Sequence, residues 1–210
     1  MEQTAKCKIC RRAGEKLFLR GERCFTPKCA MERKPYTPGI VQNQRKHRSM
    51  QTEYGTQLRE KQKVRNVYCL SEKQFAKYVK DATSRKGVNP AERLYENLET
   101  RLDSVVFRLG LADSRAHARQ IATHGHVTVN GRRIDVPSYK VKKGDILQVR
   151  EGSKTNTLFT SRTEKIKKHK FPTWVSFDSG KLEATVKGVP VLDRNEFTFN
   201  LTSVIEFYSR

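Results

Sequence analysis

The sequence predicts an α+β fold assembled from three kinds of segment, and three observations carry that prediction. Four cysteines near the start, Cys7, Cys10, Cys24 and Cys29, are spaced C-x2-C-x13-C-x4-C within a stretch that has little hydrophobic periodicity. From Glu53 to about residue 100, apolar residues recur at helical spacing in successive runs. Residues 101–149 then compress two short helices and a hairpin signal into one dense block. The expected architecture is a metal-knotted amino-terminal segment over residues 1–48 and a helical domain over 49–100, completed by the carboxy-terminal segment 171–210. A small α/β module with a basic linker, residues 101–170, is inserted between them.

Composition bounds what such a chain does. Its 210 residues suffice for one large or two modest domains, yet only 36% are apolar, so the core is light. Lys and Arg number 43 against 22 Asp and Glu, a formal charge of +21 that calls for a polyanionic partner, nucleic acid first. Residues 1–48 hold 13 basic and 4 acidic side chains whereas residues 171–210 hold 4 and 5, so the polyanion is expected along the first 170 residues. No run of 18 apolar residues appears and MEQTAKCKIC is too polar for a secretory signal, so a soluble intracellular protein without a membrane partner is expected. In a reducing compartment, five cysteines read better as a metal site with one left over than as disulfides.

Taken in order, segment 1–48 contains the turn-rich KPYTPG and cannot bury enough apolar surface to hold a shape unaided. Four thiolates on one Zn2+ ion would supply the missing stability, because binding energy becomes folding energy in such knots; an iron–sulfur cluster is the rival, and free surface cysteines the bland reading. Either metal would hold open a loop that carries Arg11, Arg12, Lys16, Arg20 and Arg23, which otherwise repel one another. Tyr54, Leu58, Val64, Val67 and Tyr68 then suit one face of a first long helix. Ser71 and Gln74 form a capping box before Phe75, Tyr78, Val79 and Ala82, and Gly87 ends that second run. Asn89 caps a third helix with Pro90 at its first position and Leu94 and Leu98 on its buried stripe. Cys69, among apolar neighbours, is expected to be a small core residue.

In the dense block, Leu102, Val105, Val106 and Leu109 form a helical stripe closed by Gly110; Ser114 caps a second short helix that buries Ala118, Ile121 and Ala122 and closes at Gly125. Val127 and Val129 alternate, Asn130-Gly131 is a hairpin turn, and Lys143-Gly144-Asp145 turns the chain into Ile146, Leu147 and Val149. Arg115, Arg119 and Gln120 are expected to point outward, with His124 and His126 flanking the glycine; such a cluster grips phosphates and presents planar groups to splayed bases. For the histidines, ordinary surface hydrogen bonding is the competing reading. Residues 154–170 read as a linker or loose outer arm. Trp174, Val175, Phe177, Leu182 and Val186 flank the turn Asp178-Ser179-Gly180 and, with VIEFYSR, are expected to pack back onto the helices of 53–100.

Several blocks carry a resemblance. The pieces RLD-VV-RLG-A-SR--ARQ, HGH--VNG, PSY and GD resemble the alpha-L RNA-binding motif. Together with CKICRRAG-KLFL-G-RC---KCA-ER-PY-PG, YGTQLREKQKVRNVY, EKQF and the ending EFYSR, they make the chain similar to the bacterial ribosomal small-subunit protein four family over nearly all of residues 6–210. The resemblance implies a structural protein rather than an enzyme, a primary binder of small-subunit ribosomal RNA where several RNA helices meet, active early in assembly. It implies zinc on the four cysteines, contact with the neighbouring small-subunit protein five, and a position beside the messenger entrance. No small-molecule substrate is implied. It also implies a cytoplasmic location on the small subunit, in a bacterium or an organelle. Lys34, Tyr36, Arg59, Lys61, Lys63, Arg65, Arg101 and Asn130 join the residues named above as the expected RNA-facing set, and Arg45, Lys46 and Arg48 are expected to face the messenger. Two departures stand out: Glu2-Gln3-Thr4 replaces the family's usual basic opening, and Thr37-Pro38-Gly39-Ile40-Val41-Gln42 replaces PPGQHG.

An RNA-modifying enzyme is the rival, since alpha-L modules also occur in pseudouridine synthases and some tRNA synthetases. Arg101-Leu102-Asp103 repeats the tripeptide that holds the catalytic aspartate of the synthases, but here it opens the module's own first helix, and no separate mixed domain of about 150 residues remains for a synthase. A zinc-dependent DNA-binding regulator would need a helix poised beside the metal, and the cysteine segment reads as loop.

Overall fold

The computed structural model describes residues 6–39, 52–84, 87–162, 165–166, 169–193 and 199–210. The amino-terminal segment contains helix α1 (Lys6–Ala13), a 3-10 turn (Gly21–Phe25) and a single-turn helix α2 (Ala30–Arg33). Its buried apolar centre is only Cys10, Leu17 and Leu19, with Val67 and Phe199 of the helical region packed against it. So small a core is not self-sufficient, and the segment leans on its neighbours. On the other side, Gly21 lies in the left-handed region at φ +66 with its backbone so close to Asp113 that a Cβ would sit 2.6 Å from the Asp113 carbonyl oxygen. The segment is therefore wedged between the helices and the module.

Helices α3 (Glu53–Val67), α4 (Glu72–Ser84) and α5 (Pro90–Glu99) follow, each begun by a side chain that satisfies an otherwise orphaned amide. Thr52 accepts from Gly55 N at 3.2 Å, Ser71 from Gln74 N at 3.3 Å and Asn89 from Ala91 N at 3.0 Å. Their shared core holds Val64, Tyr68, Leu70, Phe75, Val79, Leu94 and Leu98, and the carboxy-terminal helix α10 (Leu201–Ser209) adds Leu201 and Val204. Each such burial contributes about 1.5–3 kcal/mol. Cys69 departs from expectation: it is a half-buried turn residue at φ +54, placed there because α3 must reverse within a few residues to reach α4.

The module opens with α6 (Leu102–Arg108) and α7 (Arg115–Thr123), each stopped by a glycine at positive φ, Gly110 and Gly125. Strands β1 (Val127–Val129), β2 (Arg132–Arg133), β3 (Ile146–Val149), β4 (Val175–Asp178) and β5 (Glu183–Val186) form one antiparallel sheet in the order β2-β1-β3-β5-β4. Asn130 and Gly131, at φ +50 and +77, make the predicted tight turn.

Two expectations are corrected here. The strand pair of 175–186 does not pack onto the helices of 53–100; β5 pairs with β3, placing Leu147 opposite Ala184, and Trp174, Val175, Leu182, Ala184 and Val186 fill the module's own core. The reason is that β3, paired with β1 on one side, would otherwise leave its other edge open, and the β4–β5 hairpin supplies both pairing and cover. Of that carboxy-terminal stretch, the final helix, with Leu192 and Phe199, packs on the helical region. Residues 154–170 are likewise no loose arm: short helices α8 (Glu151–Lys154) and α9 (Thr157–Thr160) carry the buried Phe159, and Ile166 and the ion-paired Arg162 are also buried. A few apolar residues in polar surroundings suffice to tie that segment down.

Helical region and module meet at one buried carboxylate. Glu99, at the end of α5, is fully buried and accepts from Tyr68 Oη at 2.6 Å, Arg108 Nε at 2.7 Å and Arg115 Nη2 at 2.8 Å. The Arg115 guanidinium lies 4.2 Å from the Tyr68 ring centre and 4.7 Å from that of Phe107. Burial alone would raise the carboxyl pKa, but Arg115 and Arg108 outweigh it and hold it at about 2. The folded value lies below the ordinary 4.5, so this contribution is fully present above pH 4.5 and is lost as pH falls toward 2. Urea unfolding should show Glu99→Gln less stable by about 3–5 kcal/mol at pH 7, with the gap to wild type shrinking as the pH is lowered from 4.5 toward 2; an equal gap at both ends would contradict the assignment.

Candidate nucleic-acid interface

A cleft of about 1660 Å³ opens where the three parts meet. One wall is the amino-terminal segment, with Lys6 and the run from Glu15 to Leu19. A second is the turn from α3 to α4, Arg65 to Glu72, and the third is α7 with its approach, Ser114 to Gln120, then Thr123 and His124. Lys6, Lys16, Arg65, Arg108, Arg115 and Arg119 line it together with the acids Glu15 and Glu72, and Arg108 and Arg115 are already paired with the buried Glu99.

Of the sequence-predicted set, the structure brings Lys16, Arg65, Arg115, Arg119, Gln120 and His124 to this cleft. Gln120 and His124 are exposed. Arg119 is 40% exposed in its side chain, donates to the Cys69 carbonyl at 3.3 Å and lies 3.7 Å from Asp103. Arg65 pairs with Glu72 at 3.1 Å and Lys16 with Glu32. Beyond the cleft, Arg12, Arg20, Arg23, Lys34 and Arg59 are exposed and have no carboxylate partner among the described residues. Arg11 is committed to Tyr36, its Nε donating to the Tyr36 carbonyl at 2.9 Å and its guanidinium 4.7 Å from the ring centre. Arg45, Lys46 and Arg48 lie outside the described residues.

Several expected RNA contacts turn out to be internal. Arg101 is 1% exposed and held bidentate by Asp103 at 3.0 and 2.6 Å, with Nη1 on Tyr78 Oη at 2.7 Å. Arg115 serves Glu99, as described above. Lys61 is buried against Glu72 at 2.6 Å with Phe207 below it at 4.7 Å, and Lys63 reaches Glu15 and Glu60, both at 2.7 Å. Asn130 braces its own turn, donating to Asp145 Oδ1 and accepting from Ile146 N, both at 2.9 Å. In each case a partner within the chain satisfies a side chain that was expected to await phosphate. His126 is half-buried with Nδ1 3.0 Å from Ser153 Oγ; burial, then the nearby His124, Arg150 and Arg133, lower its pKa and favour the neutral ring at pH 7. Its ring is thereby fixed, whereas His124 stays open.

Sequence reasoning missed Lys6 and His117 on the cleft wall, and the exposed pair Arg132–Arg133 beside the hairpin turn, where Arg133 Nη2 donates to the His124 carbonyl at 3.3 Å. The tripeptide Gly131-Arg132-Arg133 after a certain turn was the available signal for the last two.

The four cysteines line one small cavity together with Leu19 and Arg20; Cys10, Cys24 and Cys29 are buried, Cys7 half-buried, and none is in a disulfide. Burial raises the Cys10 thiol pKa, backbone amides of Leu17 and Leu19 hydrogen-bond its sulfur and pull the other way, and the nearby Cys24 and Cys7 add to the rise. Four soft donors with amide support suit a thiophilic ion. Yet among the described residues no three His, Cys, Asp or Glu side chains are gathered closely enough to hold a metal.

Residues 2–99 match the family model of the ribosomal protein S4/S9 N-terminal domain, and residues 100–147 match the S4 domain. The chain belongs to the ribosomal S4 family. Its uS4 relatives are near in sequence as well: the small ribosomal subunit protein uS4 of Maridesulfovibrio salexigens is 48% identical over 98% of this chain and 97% of the relative. Those of Acidithiobacillus ferrooxidans and Thermus thermophilus are each 46% identical over 97% of this chain and 96% of the relative. The ribosomal S4 family comprises ribosomal structural proteins, not enzymes. The S4 domain match begins at residue 100, immediately after Glu99, so the family's own division of the chain falls on the buried ion cluster.

The split between paired and unpaired cations has a direct test. Arg115→Ala should lower unfolding stability by about 3 kcal/mol or more, since it strands a buried carboxylate, whereas Arg59→Ala and Arg12→Ala should leave it within about 0.5 kcal/mol of wild type, as read by urea denaturation.

Proposed function

We propose that this protein is a structural constituent of the small ribosomal subunit and a primary binder of small-subunit ribosomal RNA. It engages a junction of several RNA helices and nucleates assembly. Identity of 46–48% over nearly the full length to proteins named as small ribosomal subunit protein uS4 carries the reading, and the exposed, unpaired cations of the amino-terminal segment and α3 support it. Arg12, Arg20, Arg23, Arg59 and Arg119 contact phosphates on adjoining RNA helices, while the wedged amino-terminal segment and the module form a rigid jaw to either side. Recognition is through charge and RNA shape, with little base reading. Contact with small-subunit protein five, a place beside the messenger entrance with Arg45, Lys46 and Arg48 facing it, and residence on cytoplasmic bacterial subunits belong to the same reading, on the strength of the family resemblance.

The reading extends to Zn2+ on Cys7, Cys10, Cys24 and Cys29, with an iron–sulfur cluster as the alternative; their spacing and shared cavity support it. Such an ion supplies folding energy and no turnover. Cys10 in α1 and Cys24 in the 3-10 turn would then be tied together across the basic stretch between them, where a loop was expected and a helix carries Arg11 and Arg12.

Sedimentation of a lysate at high salt should find the protein with small subunits, and its absence from that fraction would remove the proposal. Affinity for small-subunit ribosomal RNA should fall by about 10³ or more between 50 and 200 mM salt, as about six neutralised phosphates require. Cys24→Ser should release the metal by elemental analysis and loosen residues 6–39 in hydrogen exchange while α3 to α5 stay protected; retained metal would refute the ligand set.

A further inference from the structure

Phe18 and Phe25 are large apolar side chains left facing solvent. Phe25 is 75% exposed and Phe18 45%, although Leu17 and Leu19 on either side of Phe18 are buried. The backbone achieves this by taking Phe18 to φ +51, an uncommon conformation for an aromatic residue, so that both leucines enter the small core while the ring between them turns outward. The two rings lie 5.0 Å apart at 26°, stacked on one another. Packing does not account for so large an apolar area left in water, and the loop that carries it is anchored: Gly21 abuts Asp113, and Glu22 pairs with Lys165. The exposed cations Arg20, Arg23 and Lys28 share the loop without carboxylate partners among the described residues, and Phe18 also lines the cleft.

We propose that the Phe18–Phe25 pair is a stacking platform for an unpaired base of the RNA strand that enters the cleft. The inference rests on the RNA-binding reading above and adds to it a site that takes a nucleobase. Cations around an aromatic face suit a polyanion that offers planar rings, and suit an apolar protein segment poorly. A base splayed from its helix places its ring on Phe25 while its phosphates meet Arg20 and Arg23. Stacking on an aromatic side chain is worth about 1–3 kcal/mol per base, which corresponds to about a five- to hundredfold change in affinity.

Filter binding of the full chain to a transcript of small-subunit ribosomal RNA tests this. Phe25→Leu should weaken binding about five- to a hundredfold, Phe25→Trp should retain wild-type affinity, and neither should alter thermal melting, because the ring is exposed. The slope of log affinity against log salt should stay unchanged in Phe25→Leu, since no cation is removed, whereas Arg20→Gln with Arg23→Gln should flatten it. Wild-type affinity in Phe25→Leu, alongside a steep salt response, would overturn the platform and leave RNA binding standing. So would unchanged RNA affinity with lost co-assembly of a neighbouring ribosomal protein. A wild-type chain that does not bind the transcript would remove both readings together.

Discussion

A carboxylate sealed from water between two guanidinium groups cannot move without exposing an uncompensated charge, and Glu99 imposes that constraint on the whole molecule. Tyr68 ends α3, Glu99 ends α5, Arg108 lies in α6 and Arg115 opens α7, so one hydrogen-bonded cluster sets the angle between the helical region and the module. Next to it, Arg101 and Asp103 join the same two parts through Tyr78. The cleft exists because these clusters hold its far walls at a set separation, and the amino-terminal segment closes the third side by leaning on Val67, Phe199 and Asp113.

The chain's large positive charge thus divides into two populations with different physics. Lys61, Lys63, Arg101 and Arg115 are desolvated and paired, and they act as structural members. Arg12, Arg20, Arg23 and Arg59 remain hydrated and unpaired among the described residues, free to neutralise phosphates and release the counterions condensed on a polyanion. Acidic residues are too few to neutralise the second group, so the pairing of the first does not blunt the attraction. It orients it, because the remaining charge is presented from fixed positions.

What could be read from sequence was what the chain encodes locally. Thr52 aside, the caps at Ser71, Asn89 and Ser114, the stops at Gly110 and Gly125 and the Asn130-Gly131 turn each act across a few residues, and the structure places them as the sequence signals suggest. Partners far along the chain stayed hidden. Nothing near Lys63 names Glu15, 48 residues away, and nothing near Tyr208 names Glu72, 136 residues away. The same blindness sent Val175 and Val186 to the wrong core, since an alternating strand states that it must pair but not with what. The candidate interface was accordingly legible as a charge density on roughly the right segments, and illegible in which cations were spoken for.

The register between β3 and β5 has a bearing on how this fold is divided. The S4 domain match covers residues 100–147 and stops inside β3, yet Leu147 is opposed by Ala184 and the strand's outer amides are met from more than 30 residues downstream. A fragment cut at the family boundary keeps both module helices and the Asn-Gly turn but bares a row of backbone donors and an apolar face together. Here the unit that is recurrent in sequence is smaller than the unit that is sealed in space, and in this chain β5 and β4 are the strands that close it.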